Sequence, residues 1–239
     1  MTTGQQRPDG TAPFVIAIDG PSGTGKSTVS RRVAELLGAG YLDTGALYRI
    51  VTLHVLDAKV DPHDAAAVAD SLRGLDFPSP TDPRVQRQEL HGRDVTGRIR
   101  DADVTAAVTP VSANPAVRAF LLDRQRQIAR SGRMVVEGRD IGTVIVPDAT
   151  VKIYLTADAD ERARRRFRQT VAAAGATGSD HEAVAAVARD LHRRDTLDSN
   201  RQHAPLQTAP DAVVIDSSTL GVEETVAAVL DLAAARGIR

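Results

Sequence analysis

The run Gly20-Pro21-Ser22-Gly23-Thr24-Gly25-Lys26-Ser27-Thr28 follows the pattern G-x-x-x-x-G-K-S and comes directly after the apolar stretch Phe14–Ile18. Strand, glycine-rich loop and helix together form the context in which backbone N–H groups wrap a polyphosphate. Gly20, Gly23 and Gly25 allow the turns this needs. A helix opening near Lys26 adds the positive end of its dipole. Lys26 would reach the β- and γ-phosphates as a point charge, and the Ser27 hydroxyl would ligate Mg²⁺. From average residue usage, a chance match in a chain this long is on the order of one per cent. The nine residues Gly20 to Thr28 read as a nucleoside triphosphate site. They leave open what is done with the triphosphate.

Discrimination has to come from elsewhere in the chain. Neither Asn114 nor Asn200 is followed by Lys, so the Asn-Lys-x-Asp guanine signature is absent. Asp216 follows the apolar run Val213–Ile215 but is followed by Ser217, which leaves the acidic pair of motor ATPases incomplete. Arginines paired with carboxylates do recur at candidate strand and helix ends, in Asp43–Arg49, Glu137–Thr143 and Arg194–Arg201. Guanidinium forks bind phosphate oxygens, and a carboxylate accepts from ribose hydroxyls or an exocyclic amine. This set suits a phosphorylated, hydroxyl-bearing acceptor. For Arg194, Asp198 and Arg201 alone, a solvated ion-pair face on a continuing helix is an equally good reading. Arg139-Asp140, between two glycines after a strand, reads as functional. On its own, Tyr48 reads as a packing residue.

These residues need a scaffold, and five short apolar runs supply one: Phe14–Ile18, Tyr41–Leu42, Met134–Val136, Val151–Leu155 and Ala212–Ile215. Helical patterns separate them, near 26–37, 46–57, 115–130, 158–170, 182–196 and 222–236, which predicts a doubly wound α/β sheet. Loops at the carboxyl ends of such strands line one crevice. Residues 75–100 differ, with three prolines and an alternating stretch that His91-Gly92 would turn, and read as a small antiparallel insert. Residues 172–180 read as a mobile loop. With 239 residues, the chain suits one α/β domain with insertions. A net charge of −1 and 3% aromatic residues disfavour a nucleic-acid partner, and no cysteine is present for disulfides, thiolate metal sites or nucleophilic catalysis. No apolar run approaches the ~18 residues of a membrane span. Residues 1–13 are polar and read as a disordered tail, on a protein expected in the cytoplasm.

Beyond these local readings, the chain from about Phe14 onward resembles the bacterial cytidylate kinases, which are P-loop nucleoside monophosphate kinases. The resemblance is carried by IDGPSGTGKST, LDTGALYR, Val95–Arg100, NPAVRAFLLDRQR, VVEGRDIGT, VKIYLTA, the ERARRR run, RRDTLDSNR and VVIDSSTL, in that order. It implies a three-layer P-loop fold with a five-stranded parallel sheet (residues 14–43, 116–157 and 182–239). It further implies an acceptor-nucleotide domain at 44–115 carrying the insert, and a short helical lid at 158–181. The implied reaction is transfer of the ATP γ-phosphate to CMP or dCMP, with Mg²⁺, by a monomer. Thr44, Tyr48 and Arg49 would line the acceptor site, with Arg49 on its phosphate. Arg139 and Arg201 would be further phosphate ligands and, with Lys26, the catalytic set. Arg118 and Asp140 would read cytosine, with Thr109 beside them, and Arg194 and Asp198 would hold the ribose. Of the lid arginines, Arg162, Arg165 and Arg166 would reach the ATP phosphates. Thr44 and Thr109 stand where relatives often have serine. Glu137 stands where some have aspartate, a change expected to matter little. A kinase for UMP or for both pyrimidine monophosphates, and a nucleotide-binding regulatory protein, are the alternatives.

Overall fold

In the computed structural model, described over residues 12–173, 181–201 and 204–239, five parallel strands form one sheet in the order β2-β5-β1-β6-β7. They are β1 (Phe14–Asp19), β2 (Gly40–Asp43), β5 (Arg133–Gly138), β6 (Val151–Thr156) and β7 (Val213–Asp216). β1 lies centrally, with Ile16 paired to Val135 of β5 and to Val151 of β6. All six β1 residues are buried, as a strand covered on both faces requires.

Alternation along β1 divides the core. Val15 and Ala17 face α2 (Thr44–Asp57), α4 (Ala102–Ala113) and α5 (Pro115–Ala129). Phe14, Ile16 and Ile18 face α1 (Lys26–Leu36) and α8 (Val222–Ala235). Ile16 and Ile18 have no exposed surface. Each fully buried side chain of this size contributes ~1.5–3 kcal/mol of transfer free energy. The layers are therefore helix, sheet, helix. α6 (Ala159–Ala173) and α7 (His181–Ser199) pack together over the carboxyl end of the sheet.

Helix starts follow local chemistry. The Asp43 side chain accepts from Ala46 N at 3.0 Å and caps α2. Asn114 accepts from Ala116 N at 2.9 Å, with Pro115 in the first turn of α5. The two-residue strands β3 (Glu89–Leu90) and β4 (Arg93–Asp94) pair antiparallel around His91 and Gly92, both at positive φ. This is the hairpin expected within residues 75–100. Two helices have no counterpart in the sequence-based expectation, α3 (Ala65–Ser71) and α4. α4 carries Pro110 and several β-branched residues, which lower its intrinsic propensity. It forms because Val104, Val108 and Val111 are buried together on one face.

The expected tail falls on residues 1–11, outside those described, apart from Ala12 and Pro13. The expected loop at 172–180 lies mostly outside them too, and Ala172 and Ala173 belong to α6 instead. No helix among the described residues is long and apolar enough to cross a membrane.

Candidate active site

Loops at the carboxyl ends of β1, β2 and β5 converge on one crevice. The glycine-rich loop leaves β1 and hands over to α1 at Gly25, which is left-handed. Gly20 and Gly23 are required by space as well as by φ. A Cβ on Gly20 would stand 2.0 Å from the Leu155 carbonyl oxygen, and one on Gly23 2.8 Å from that of Arg162. Lys26 is buried and its Nζ donates to Pro21 O at 2.7 Å, which folds the side chain back along the loop. Burial, and then Arg139, lower its pKa to about 7. Ser27 and Thr28 are exposed at the start of α1. Arg165 donates to Thr24 O at 3.2 Å and to Ser217 O at 2.6 Å, tying α6 to the loop and to the end of β7.

Two carboxylates flank this loop from below. Asp19 accepts from the N–H groups of Ile141 and Gly142, at 2.9 and 2.8 Å, which open a π-helical turn over Ile141–Ile145. Burial raises the Asp19 pKa to about 6 against those hydrogen bonds. Glu137, at the end of β5, accepts from the Tyr41 hydroxyl, while its buried Oε2 has no partner among the described residues. Burial, followed by Asp43, raises Glu137 to about 7, and Lys26 and the Tyr41 hydroxyl pull the other way.

Across the crevice, Arg118 of α5 and Asp140 form a buried ion pair, and the guanidinium lies 5.6 Å over the Tyr48 ring. Burial raises the Asp140 pKa, opposed chiefly by Arg118. Arg139 donates to Gly20 O at 2.8 Å and to Asp198 at 3.0 Å, so it links the loop to α7. Asp198 also accepts from Arg201, whose Nη2 donates to Ser112 Oγ at 2.9 Å. α7 ends at Ser199, so Arg201 leaves the helix that Arg194 and Asp198 share and returns to Asp198 from the following segment. The solvated-face reading fails here, because Arg194 and Asp198 are only 8% and 5% exposed.

Thr44 donates its hydroxyl to Glu137 O at 2.7 Å. Thr109 is half-buried on α4. Arg49 donates to Ile99 O at 2.9 Å and Thr105 Oγ1 at 3.0 Å, which ties α2 to the start of α4.

The crevice carries an excess of positive charge. Burial, together with Arg194, Arg166 and Arg100, lowers the Arg49 pKa to about 9. Burial and neighbouring arginines likewise lower Arg166, Arg194 and Arg201. Asp43, Asp140, Asp190 and Asp198 answer only part of this charge, since each of these arginines is still lowered. Mutually repelling, half-dehydrated guanidiniums are stabilised by multiply charged anions placed among them.

The cytidylate kinase family profile matches residues 16–235. A cytidylate kinase of Rhodococcus opacus is 52% identical over 221 residues, covering 92% of this chain and 94% of its own length. The chain belongs to the cytidylate kinase family. One from Mycobacterium leprae is 52% identical over 220 residues, covering 92% and 95%, and one from Corynebacterium diphtheriae 48% over 220, covering 92% and 94%.

Seen in a cytidylate kinase family member, the crevice also holds groups to which sequence reading assigned no role. They are Asp19, Tyr41, Glu137, Asp195 and Ser217. Asp19 and Glu137 end strands beside the crevice, a signal visible in the sequence. Asp195 and Ser217 become neighbours of the loop only through packing.

Proposed function

We propose that this chain transfers the γ-phosphate of ATP to CMP, and to dCMP, giving ADP and the corresponding diphosphate. The observation that carries this reading is the Arg118–Asp140 pair beside a crevice of repelling arginines. Side by side, it offers one set of donors and one acceptor, buried enough to make mispairing costly. Cytosine presents an N4 amine, which Asp140 would accept, and N3 or O2, to which Arg118 would donate. Uracil presents O4 to the carboxylate and N3–H to the guanidinium, two mismatches. Arg194 and Asp198 are suited to the ribose.

A phosphate oxygen of the acceptor attacks the γ-phosphorus while the bond to the β,γ-bridging oxygen breaks and ADP leaves. The acceptor phosphate is already ionised, so no strong general base is needed. Catalysis then consists of positioning and charge neutralisation. Lys26 and the loop amides would hold the donor, with Arg162, Arg165 and Arg166 of α6. Arg49, Arg139 and Arg201 would hold the acceptor phosphate and screen the two anions from each other. Residues 44–115 would move as the acceptor-binding unit, and α6 would close over the donor and exclude water.

The residues fit Mg²⁺. Among the described residues no three acidic or histidine side chains cluster as a metal centre. A hydroxyl at Ser27 and the unpartnered Glu137 Oε2 are hard oxygen donors at the loop's edge, and Mg²⁺ takes its remaining ligands from phosphate and water. Bound there, the metal would neutralise charge on the β- and γ-phosphates. An ADP-release assay across CMP, dCMP, UMP, AMP and GMP tests the assignment. CMP should be preferred over UMP by ~10² or more in kcat/KM. Comparable turnover of UMP would overturn it.

A further inference from the structure

Asp195 lies one turn before Asp198 on α7, and its carboxylate points at the glycine-rich loop rather than at the acceptor side. Oδ1 accepts from Ser22 N at 3.4 Å, and Oδ2 accepts from Arg162 of α6. The same Arg162 nitrogen donates to Ser22 O at 3.2 Å. Three elements thus meet at one carboxylate. Both side chains are largely buried, 12% exposed for Arg162 and 15% for Asp195. The carboxylate also acts on Lys26, raising its pKa against the burial that lowers it.

A loop whose amides and lysine serve an anion already has one, supplied by the chain itself. We propose that Asp195 is an internal stand-in for the donor phosphate: a latch that occupies Ser22 N–H and holds Arg162 against the loop until the triphosphate displaces it. The inference rests on reading Gly20–Thr28 as the donor site. On ATP binding, the phosphate takes over the amide, and Arg162 passes from carboxylate to phosphate. No covalent bond changes, and Asp195 acts as a positioning residue for Arg162.

The latch has two consequences of opposite sign. While closed, it competes with ATP, so the apparent affinity is reduced by the fraction of molecules in which the site is open. It also keeps Arg162 next to the place where the phosphate arrives. Removing it should therefore tighten ATP binding and slow transfer. A residue with a merely structural role would not separate the two in this way.

The test is titration of the full chain with ATP in wild type, Asp195→Asn, Asp195→Ala and Asp231→Asn. Asp231 is an exposed acid on α8, and its variant removes a charge without touching the loop or its arginines. If the open fraction is roughly 10–30%, Asp195→Ala should bind ATP ~3- to 10-fold tighter, with Asp195→Asn between it and wild type. Asp231→Asn should bind as wild type does. In the Asp195 variants kcat with CMP should fall while KM for ATP falls as well, and the amides of α6 should exchange faster without nucleotide. Equal or weaker ATP binding in both Asp195 variants would overturn the latch, as would the same gain in Asp231→Asn. Failure of wild type to bind ATP would instead refute the donor-site reading. Should the alanine variant not fold, the asparagine variant carries the same comparison.

Discussion

Replacing Asp140 by asparagine tests whether the base is read by this residue. Asp140 is 5% exposed and the Arg118 side chain opposite is 12% exposed, so neither can exchange a lost partner for bulk water. Asparagine keeps the size and removes the charge. The bond from Arg118 loses its ionic character, and hydrogen bonds to charged groups are worth ~1.5–3 kcal/mol. For CMP, kcat/KM should therefore fall ~10- to 150-fold. UMP responds differently, because the amide group can turn its NH₂ toward uracil O4 and relieve one of two mismatches. An unsatisfied buried group costs ~1–3 kcal/mol, so the UMP-to-CMP ratio of kcat/KM should rise ~5- to 150-fold. Both constants come from a coupled assay of ADP release, with thermal unfolding to confirm that the variant is folded. A large fall for both acceptors at a constant ratio would refute base reading and leave Asp140 as a scaffold for Arg118. An unchanged rate with CMP would remove it from the acceptor site altogether.

Proton linkage provides a second test, because burial lowers the pKa of Lys26 to about 7 and raises that of Glu137 to about 7. Above pH 7 a free Lys26 is largely neutral and must gain a proton to face phosphate. ATP added without metal at pH 8 should thus take up a proton, and its affinity should weaken as pH rises through 7. Mg²⁺ added to that complex at pH 6 should release a proton as Glu137 ionises. Calorimetry in two buffers of different ionisation enthalpy measures both, and no uptake at pH 8 would refute the role of Lys26. A steric prediction concerns Gly20, where a Cβ would lie 2.0 Å from Leu155 O at φ +146°. Gly20→Ala should cost more than ~3 kcal/mol in thermal unfolding, whereas Gly97→Ala, which enters open space, should stay within ~0.5 kcal/mol.

Much of the scaffold was legible because its signals are local. Continuous apolar runs marked the five strands, and the His91-Gly92 pair marked the hairpin. α4 was not legible, since Pro110 and its β-branched neighbours disfavour helix locally and only burial of Val104, Val108 and Val111 offsets that. The arginine and aspartate residues of the crevice were recognisable as types and spacings. Whether Arg194 and Asp198 were a solvated face or a buried site could not be read from spacing, because spacing is the same in both cases.

By itself, then, the sequence determined the glycine-rich loop, the parallel sheet and the family to which the chain belongs. These depend on residues adjacent in the chain or on their order along it. The tertiary structure decided what faces what. It set Arg118 against Asp140, left Glu137 Oε2 without a partner, and aimed Asp195 at Ser22, 173 positions earlier in the chain. Burial and charge at a point in space arise from segments far apart in sequence, and only packing brings those segments together.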